Sequence, residues 1–182
     1  MQPTKTRADL WMDLGLMAFL IGLDVVARLL PHAPGFMPIA ASALFAGRTL
    51  RIPALAIVVP LAAMLLSNAM LPSEDWRIVL VGFAAISVPA LVGMASRRFS
   101  GPLFIGAAMV SCSLIFFAAS NFAVWAFSGI YGLDFAGLTQ CYVAALPFLQ
   151  NTVAGDLFWT GVLFGGAWVI QNGAMLSGRA HH

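Results

Sequence analysis

The chain has 182 residues, 61% of them hydrophobic and 9% charged, with a mean hydropathy of +0.93, whereas a water-soluble domain carries about 25% charged residues. A water-soluble fold is excluded, and nine Lys plus Arg against seven Asp plus Glu leave no basic surface for a nucleic-acid partner. With about 20 apolar residues needed per crossing of a hydrocarbon core roughly 30 Å thick, the length points to about five to seven helices in a single integral membrane domain.

Apolar runs bounded by Pro, Gly and charged residues mark the spans. Lys5 and Arg7 are followed by Asp9 and Asp13, and the apolar stretch beyond them is too long for a secretory signal and lacks a small-residue cleavage site, so it is expected to stay in the mature protein. That first span covers 10–30 and is closed by Pro31. The second, 36–47, falls short of the about 17 residues that cross a bilayer, and reads as either a short tilted helix or a partial one. Spans over 53–71, 78–96 and 102–127 follow. Residues 137–150 are apolar on one side and interrupted by Pro147, which suggests a helix lying at the membrane surface or dipping into the domain. The last crossing is expected over 151–170, and His181 and His182 read as the start of a purification tag. No repeat of 20–50 residues is visible, so solenoids and inverted-repeat transporters find no support.

Charge placement supports this count. With six crossings, Lys5, Arg7, Arg48, Arg51, Arg97, Arg98 and Arg179 all fall on one side, and Glu74, Asp75 and Asp134 on the other. Basic residues gather on the cytoplasmic side, so both termini are expected in the cytoplasm of a bacterial cell, with the chain multi-pass in its inner membrane.

Ionisable groups within a span cost about 2.5–3.5 kcal/mol each on insertion scales, so their depth is informative. Asp24 and Arg28 fall in the outer third of the first span, four residues apart on one face, either as a structural pair or as ligand contacts. Ser67 and Asn68 lie at a similar depth in the third span. Ser120, Asn121 and Trp125 end the fifth. Asn151, Thr152 and Asp156 are expected at the outer end of the last. If these ends converge, they frame a polar pocket open to the exterior, roofed by His32, Tyr131, Asp134 and Tyr142 from the loops, a chemistry suited to small-ligand capture. The plainer readings are that Asn121 and Asn151 bond neighbouring helices, and that Trp125, Tyr131 and Tyr142 belong to the interfacial aromatic belt. His32 would then be an ordinary loop residue, and Cys141 a small packed side chain.

Small residues recur at four-residue spacing as Ala18/Gly22, Ala43/Gly47 and Gly161/Gly165. They allow close backbone approach, either within the monomer or toward a partner. Cys112 and Cys141 have no metal or disulfide spacing, and no G-x-x-x-x-G-K-[ST] loop is present to hold ATP.

Four stretches carry a resemblance: Arg28-Leu-Leu-Pro-His32, the run from Pro38 to Gly47, Ser120-Asn-Phe-Ala-Val-Trp125, and the run from Cys141 to Phe158. Together, over residues 23–166, they resemble the DUF6580 family of bacterial transport proteins. That family in turn is similar to the substrate-binding S components of energy-coupling-factor vitamin transporters, which are six-helix inner-membrane proteins. The resemblance implies an all-α bundle of six transmembrane helices that binds a vitamin-like solute in an outward-facing pocket for uptake, cobalamin being one candidate. It implies no enzymatic activity and no cofactor. Ala18 and Gly22 would dock an energy-coupling membrane protein driven by ATPases, and Cys141 would be a candidate cobalt ligand. Trp125 and Tyr131 would stack on the solute, and Asn121, Asn151 and Asp156 would orient it. The chain departs from its relatives at Asn68, where they have Asp, and at Tyr131-Gly132, where they have Tyr-Pro, so its ligand is expected to differ. Two other readings are a ligand-free membrane scaffold resembling the cell-shape protein MreD and an intramembrane enzyme using Asp156 with His32 or Cys141.

Overall fold

A computed structural model describes residues 7–71, 75–99 and 101–179, with side chains to residue 172. Lys5, Glu74, His181 and His182, and the side chain of Arg179, lie outside the described set. Among the described residues the chain is all-helical: α1 (Arg7–Leu29), α2 (Ile39–Thr49), α3 (Pro53–Asn68), α4 (Trp76–Ala95), α5 (Pro102–Phe127) and α6 (Phe135–Arg179). Four helices, α1, α4, α5 and α6, are long and apolar enough to cross a membrane. Pro53 and Pro102 open α3 and α5 at positions where the missing N–H costs nothing.

The short helix α2 is the centre of the molecule. Every residue from Ile39 to Gly47 is buried, and α2 touches all the other helices. Around it the others form an arc in the order α1, α3, α4, α5, α6, and among the described residues no contact closes α6 back onto α1. At 1.5 Å per residue an 11-residue helix is roughly 16 Å long, about half a hydrocarbon core. The charge count treats this segment as a full crossing, and a helix of this length by itself covers only about half of one.

The small residues of α2 make its central position possible. A Cβ on Gly47 would collide with the Ala90 carbonyl of α4, and one on Gly93 with the Leu44 carbonyl of α2. Ala43/Gly47 is thus used for packing inside the chain. The other two small pairs are not: Gly22, Gly161 and Gly165 have open space where a Cβ would stand.

Sequence reading and structure part company at the last helix. The expected surface segment over 137–150 and separate crossing over 151–170 are one unbroken helix beginning at Phe135. Asp134 caps its start, its Oδ1 accepting from the Gly137 N–H at 2.7 Å. Pro147 removes one donor from the ladder, but the helix continues through it, as it does through the buried Pro60 of α3 and Pro89 of α4. In a helix packed along neighbours the freed carbonyl is a local cost rather than a stop signal. α5 and α6 run antiparallel: Tyr142 reaches Ala118, Cys141 reaches Asn121, and Asp156 meets Ser113.

Arginines close one end of the bundle. Arg48, at the end of α2, donates to the Ser96 carbonyl and hydroxyl and to the Phe99 carbonyl beyond α4. Reciprocally, Arg97 donates to the Gly47 and Leu50 carbonyls at the end of α2. Each helix C-terminus, with its orphan carbonyls and partial negative charge, is capped by a cation from the other. Buried Asp13 of α1 accepts from the Arg51 and Ile52 N–H groups at 3.0 Å each, and Asp9 pairs with Arg51. Lipid alone offers no partners to the ends of helices, and here side chains supply them.

Candidate functional site

The opposite end is built differently. Three adjoining cavities occupy it, all lined by Phe116 of α5. The outer one, about 660 Å³, is walled by the ends of α1, α3, α4 and α5 through Arg28, Asn68, Asp75, Ser120 and Val124. It reaches the turn after α5 at Ser128 and Ile130, the latter 74% exposed. The side cavity, about 240 Å³, lies between α5 and α6 and has Ser120, Asn121 and Thr152 as its polar lining. The inner one, about 120 Å³, is lined by Arg28, Met37, Ile39, Ala40, Met64, Phe116, Thr152 and Asp156 among others. Arg28 and Met64 join the inner cavity to the outer one.

Irregular backbone forms part of this wall. The connection between α1 and α2 does not stay at the surface; it seats on the middle of α6. Gly35 has φ +84, a left-handed conformation that glycine adopts without penalty, and a Cβ there would collide with Thr152. One turn further along α6, a Cβ on Gly155 would stand 2.8 Å from the Phe36 Cα, and the Phe36 ring lies 5.5 Å from that of Phe158. At this depth non-helical backbone is tolerated where it is buried in protein or lines a cavity, and Gly35 lines two of the three.

Two carboxylates are buried at this level. Asp24 is fully buried; the Ser42 hydroxyl of α2 donates to its Oδ1 at 2.8 Å, and its Oδ2 has no hydrogen-bond partner. Asp24 is thus bonded across to α2, which comes close enough to α1 to offer a hydroxyl. Asp156 is 3% exposed, and Ser113 donates to its Oδ2 at 2.6 Å. Ser113 stands near the midpoint of α5, so Asp156 is at the middle of the bundle and not at an outer helix end. The sequence reading placed it too shallow because it started the last helix at residue 151 rather than at Phe135.

Of the residues singled out from sequence for the pocket, Arg28, Asn68, Ser120, Asn121, Thr152 and Asp156 line these cavities. The others do not. The Trp125 indole N–H donates to the Gly132 carbonyl across the α5–α6 turn at 2.9 Å, and the ring packs on Phe122. The Tyr142 hydroxyl donates to the Ala118 carbonyl at 2.6 Å and its ring meets Phe117 edge-on. These two aromatics tie the α5–α6 hairpin together. His32 is exposed in the α1–α2 connection, its Nδ1 2.6 Å from the Leu30 carbonyl. Tyr131 is in the α5–α6 turn and Asn151 is half-buried on α6; neither lines these three cavities. Cys141 is buried, its thiol 3.4 Å from the Asn121 carbonyl. Among the described residues, no group of three or more His, Cys, Asp or Glu is placed to hold a metal ion.

Ser42, Ser113, Met64 and Phe116 entered the site unannounced. Ser113 and Asp156 are 43 residues apart, and no periodicity links them. Asp75, at the rim, caps α4 and forms an ion pair with Arg77 at 2.9 Å. The hydrogen bonds from Arg77 hold the Asp75 carboxyl below the usual carboxylate range.

Long apolar helices, intra-bundle capping at one end and a mainly apolar cavity with a few polar groups at the other are the features of a helical membrane protein. Residues 9–177 match the model of a family of unknown function, DUF6580, and the chain belongs to that family. No curated protein and no solved structure matches it.

Proposed function

We propose that this protein binds a small solute in the cavities at its open end, as a membrane transport protein serving uptake. The observation that supports the reading most is the convergence of polar groups from α1, α3, α5 and α6 on connected cavities, while the far end is capped shut by Arg48, Arg97 and Asp13. A cavity of this size with apolar walls and a few polar groups suits a small organic molecule. Such groups are expensive in a bilayer and persist where they line a wet cavity or bind something. The solute would enter past Ser128 and Ile130 and settle against Phe116 and Met64, with Asn68, Ser120, Asn121 and Asp156 as hydrogen-bonding partners. The open end would be extracytoplasmic, since the arginine-rich end fits the cytoplasmic side. Energy would come from a coupling membrane protein with ATPases docked on the exposed face of α1 at Ala18 and Gly22, or the protein would act alone as a facilitator.

The test is gentle purification from the native host and identification of co-purifying small molecules by mass spectrometry, followed by thermal unfolding with each compound found. The expected result is a recurrent small molecule that raises the unfolding midpoint, because a ligand of the native form alone must stabilise it. The reading is overturned if no molecule co-purifies and a broad solute panel leaves the midpoint unchanged.

A further inference from the structure

The inner cavity meets the start of α2, a helix whose N-terminus lies inside the bundle. Pro38 stands at the N-cap and supplies no side-chain hydrogen bond. The first helical bond is from the Ser42 N–H to the Pro38 carbonyl at 2.7 Å. The N–H groups of Ile39, Ala40 and Ala41 find no acceptor among the described residues. These residues are 4%, 8% and 0% exposed, so open water does not serve them. Met37, Ile39 and Ala40 line the inner cavity together with Arg28. Orphan donors at the positive end of a helix dipole favour an anion, and Arg28, which already has an interaction of its own, adds positive charge to the same cavity.

Asp156 makes an independent and opposite demand. It is buried, it lines the same cavity, and only its Oδ2 is hydrogen-bonded, by one neutral hydroxyl. A carboxylate so placed favours a cationic N–H group within reach of its other oxygen. A singly charged ligand would answer one of these demands and leave the other standing.

We infer that the inner cavity holds the zwitterionic head of an amino-acid-like solute, its anionic group at the α2 N-terminus and Arg28 and its cationic N–H group at Asp156. The apolar remainder of the molecule extends past Met64 and Phe116, which line both the inner and outer cavities. This rests on the solute-pocket reading and names the ligand's chemical class.

The test uses the full-length protein in detergent and follows its unfolding midpoint with leucine, methionine, phenylalanine and tryptophan. Each is compared at the same millimolar concentration with its decarboxylated amine and its deaminated acid. The expected result is a raised midpoint for one or more of the zwitterions and a smaller shift for both single-charge partners. For that zwitterion, Asp156→Asn and Arg28→Gln should each weaken binding at least tenfold. Equal shifts from an amine or an acid would overturn the inference, as would unchanged binding in both variants, or no shift from any member of the panel. In the last case α2 and Asp156 simply neutralise each other. A co-purifying solute of another charge class would end this inference while leaving the pocket reading intact; no co-purifying solute at all would end both.

Discussion

The two ends of the bundle solve the same problem in opposite ways. At the arginine end, helix termini that lipid cannot satisfy are capped reciprocally, Arg48 serving α4 and Arg97 serving α2, with Asp13 on the turn into α3. At the other end α2 begins without a side-chain cap, and Asp24 keeps an unpartnered oxygen. Both ends contain polar groups, but one end spends them on each other and the other leaves several facing cavities. A bilayer protein that was only a scaffold would gain stability by closing both.

The contrast is sharpest where α2 meets α4. Replacing Gly47 with Val should destabilise the protein by more than about 4 kcal/mol, because the Ala90 backbone cannot retreat. Loss of a monodisperse folded species on size-exclusion chromatography would show it. At the open end, Gly82 has only the flexible Met64 side chain nearby, 3.8 Å from the position of a Cβ. Gly82→Ala should therefore change stability by about 1 kcal/mol or less, with a gain expected from helix propensity.

Next in size is the clasp itself. Arg97→Ala removes two bonds from a charged donor to helix-end carbonyls, for an expected loss of about 2 kcal/mol. Solute affinity at the far end should be unchanged; an equal loss of affinity would mean the two ends are coupled. Ser113→Ala takes the one hydrogen bond from Asp156 and should cost about 1–2 kcal/mol while also altering solute binding, a combination the clasp variant lacks.

The smallest effect concerns the rim. Hydrogen bonds from Arg77 lower the Asp75 carboxyl in the folded protein. Its contribution to stability is therefore present above the unfolded-state value of about 3.9 and is lost as the pH falls through the lower folded value. Asp75→Ala should lower the unfolding midpoint slightly at pH 7 and have less effect at the acid end of that range. An effect that grew on acidification would contradict the pairing.

The sequence carried the arginine end well, because basic residues in short connections have few places to go. It also picked out Arg28, Asn68, Asn121 and Asp156, since a polar group in an apolar run is conspicuous. It did not reveal which helix would supply the partner of each. Ser42 for Asp24 and Ser113 for Asp156 are tertiary matches between residues 18 and 43 positions apart. Trp125 and Tyr142 were conspicuous as aromatics, yet both are used to join α5 to α6. The last helix was misread at Pro147, although Asp134 three residues before Gly137 is a helix-start signal in its own right. Proline breaks helices in water more reliably than in a packed membrane bundle.

The most direct test of a bundle open at one end only is cysteine accessibility in membrane vesicles. Cys112 and Cys141 are first replaced by Ala, and single cysteines are placed at Ser120 in the cavity, Ser128 at its rim and Arg98 at the arginine end. A membrane-impermeant maleimide is then applied to each face in turn. Ser120→Cys and Ser128→Cys should label from one face and Arg98→Cys only from the other. A Ser120→Cys thiol that stays unlabelled from both faces while Ser128→Cys reacts would show that no water-filled cavity lies behind the rim.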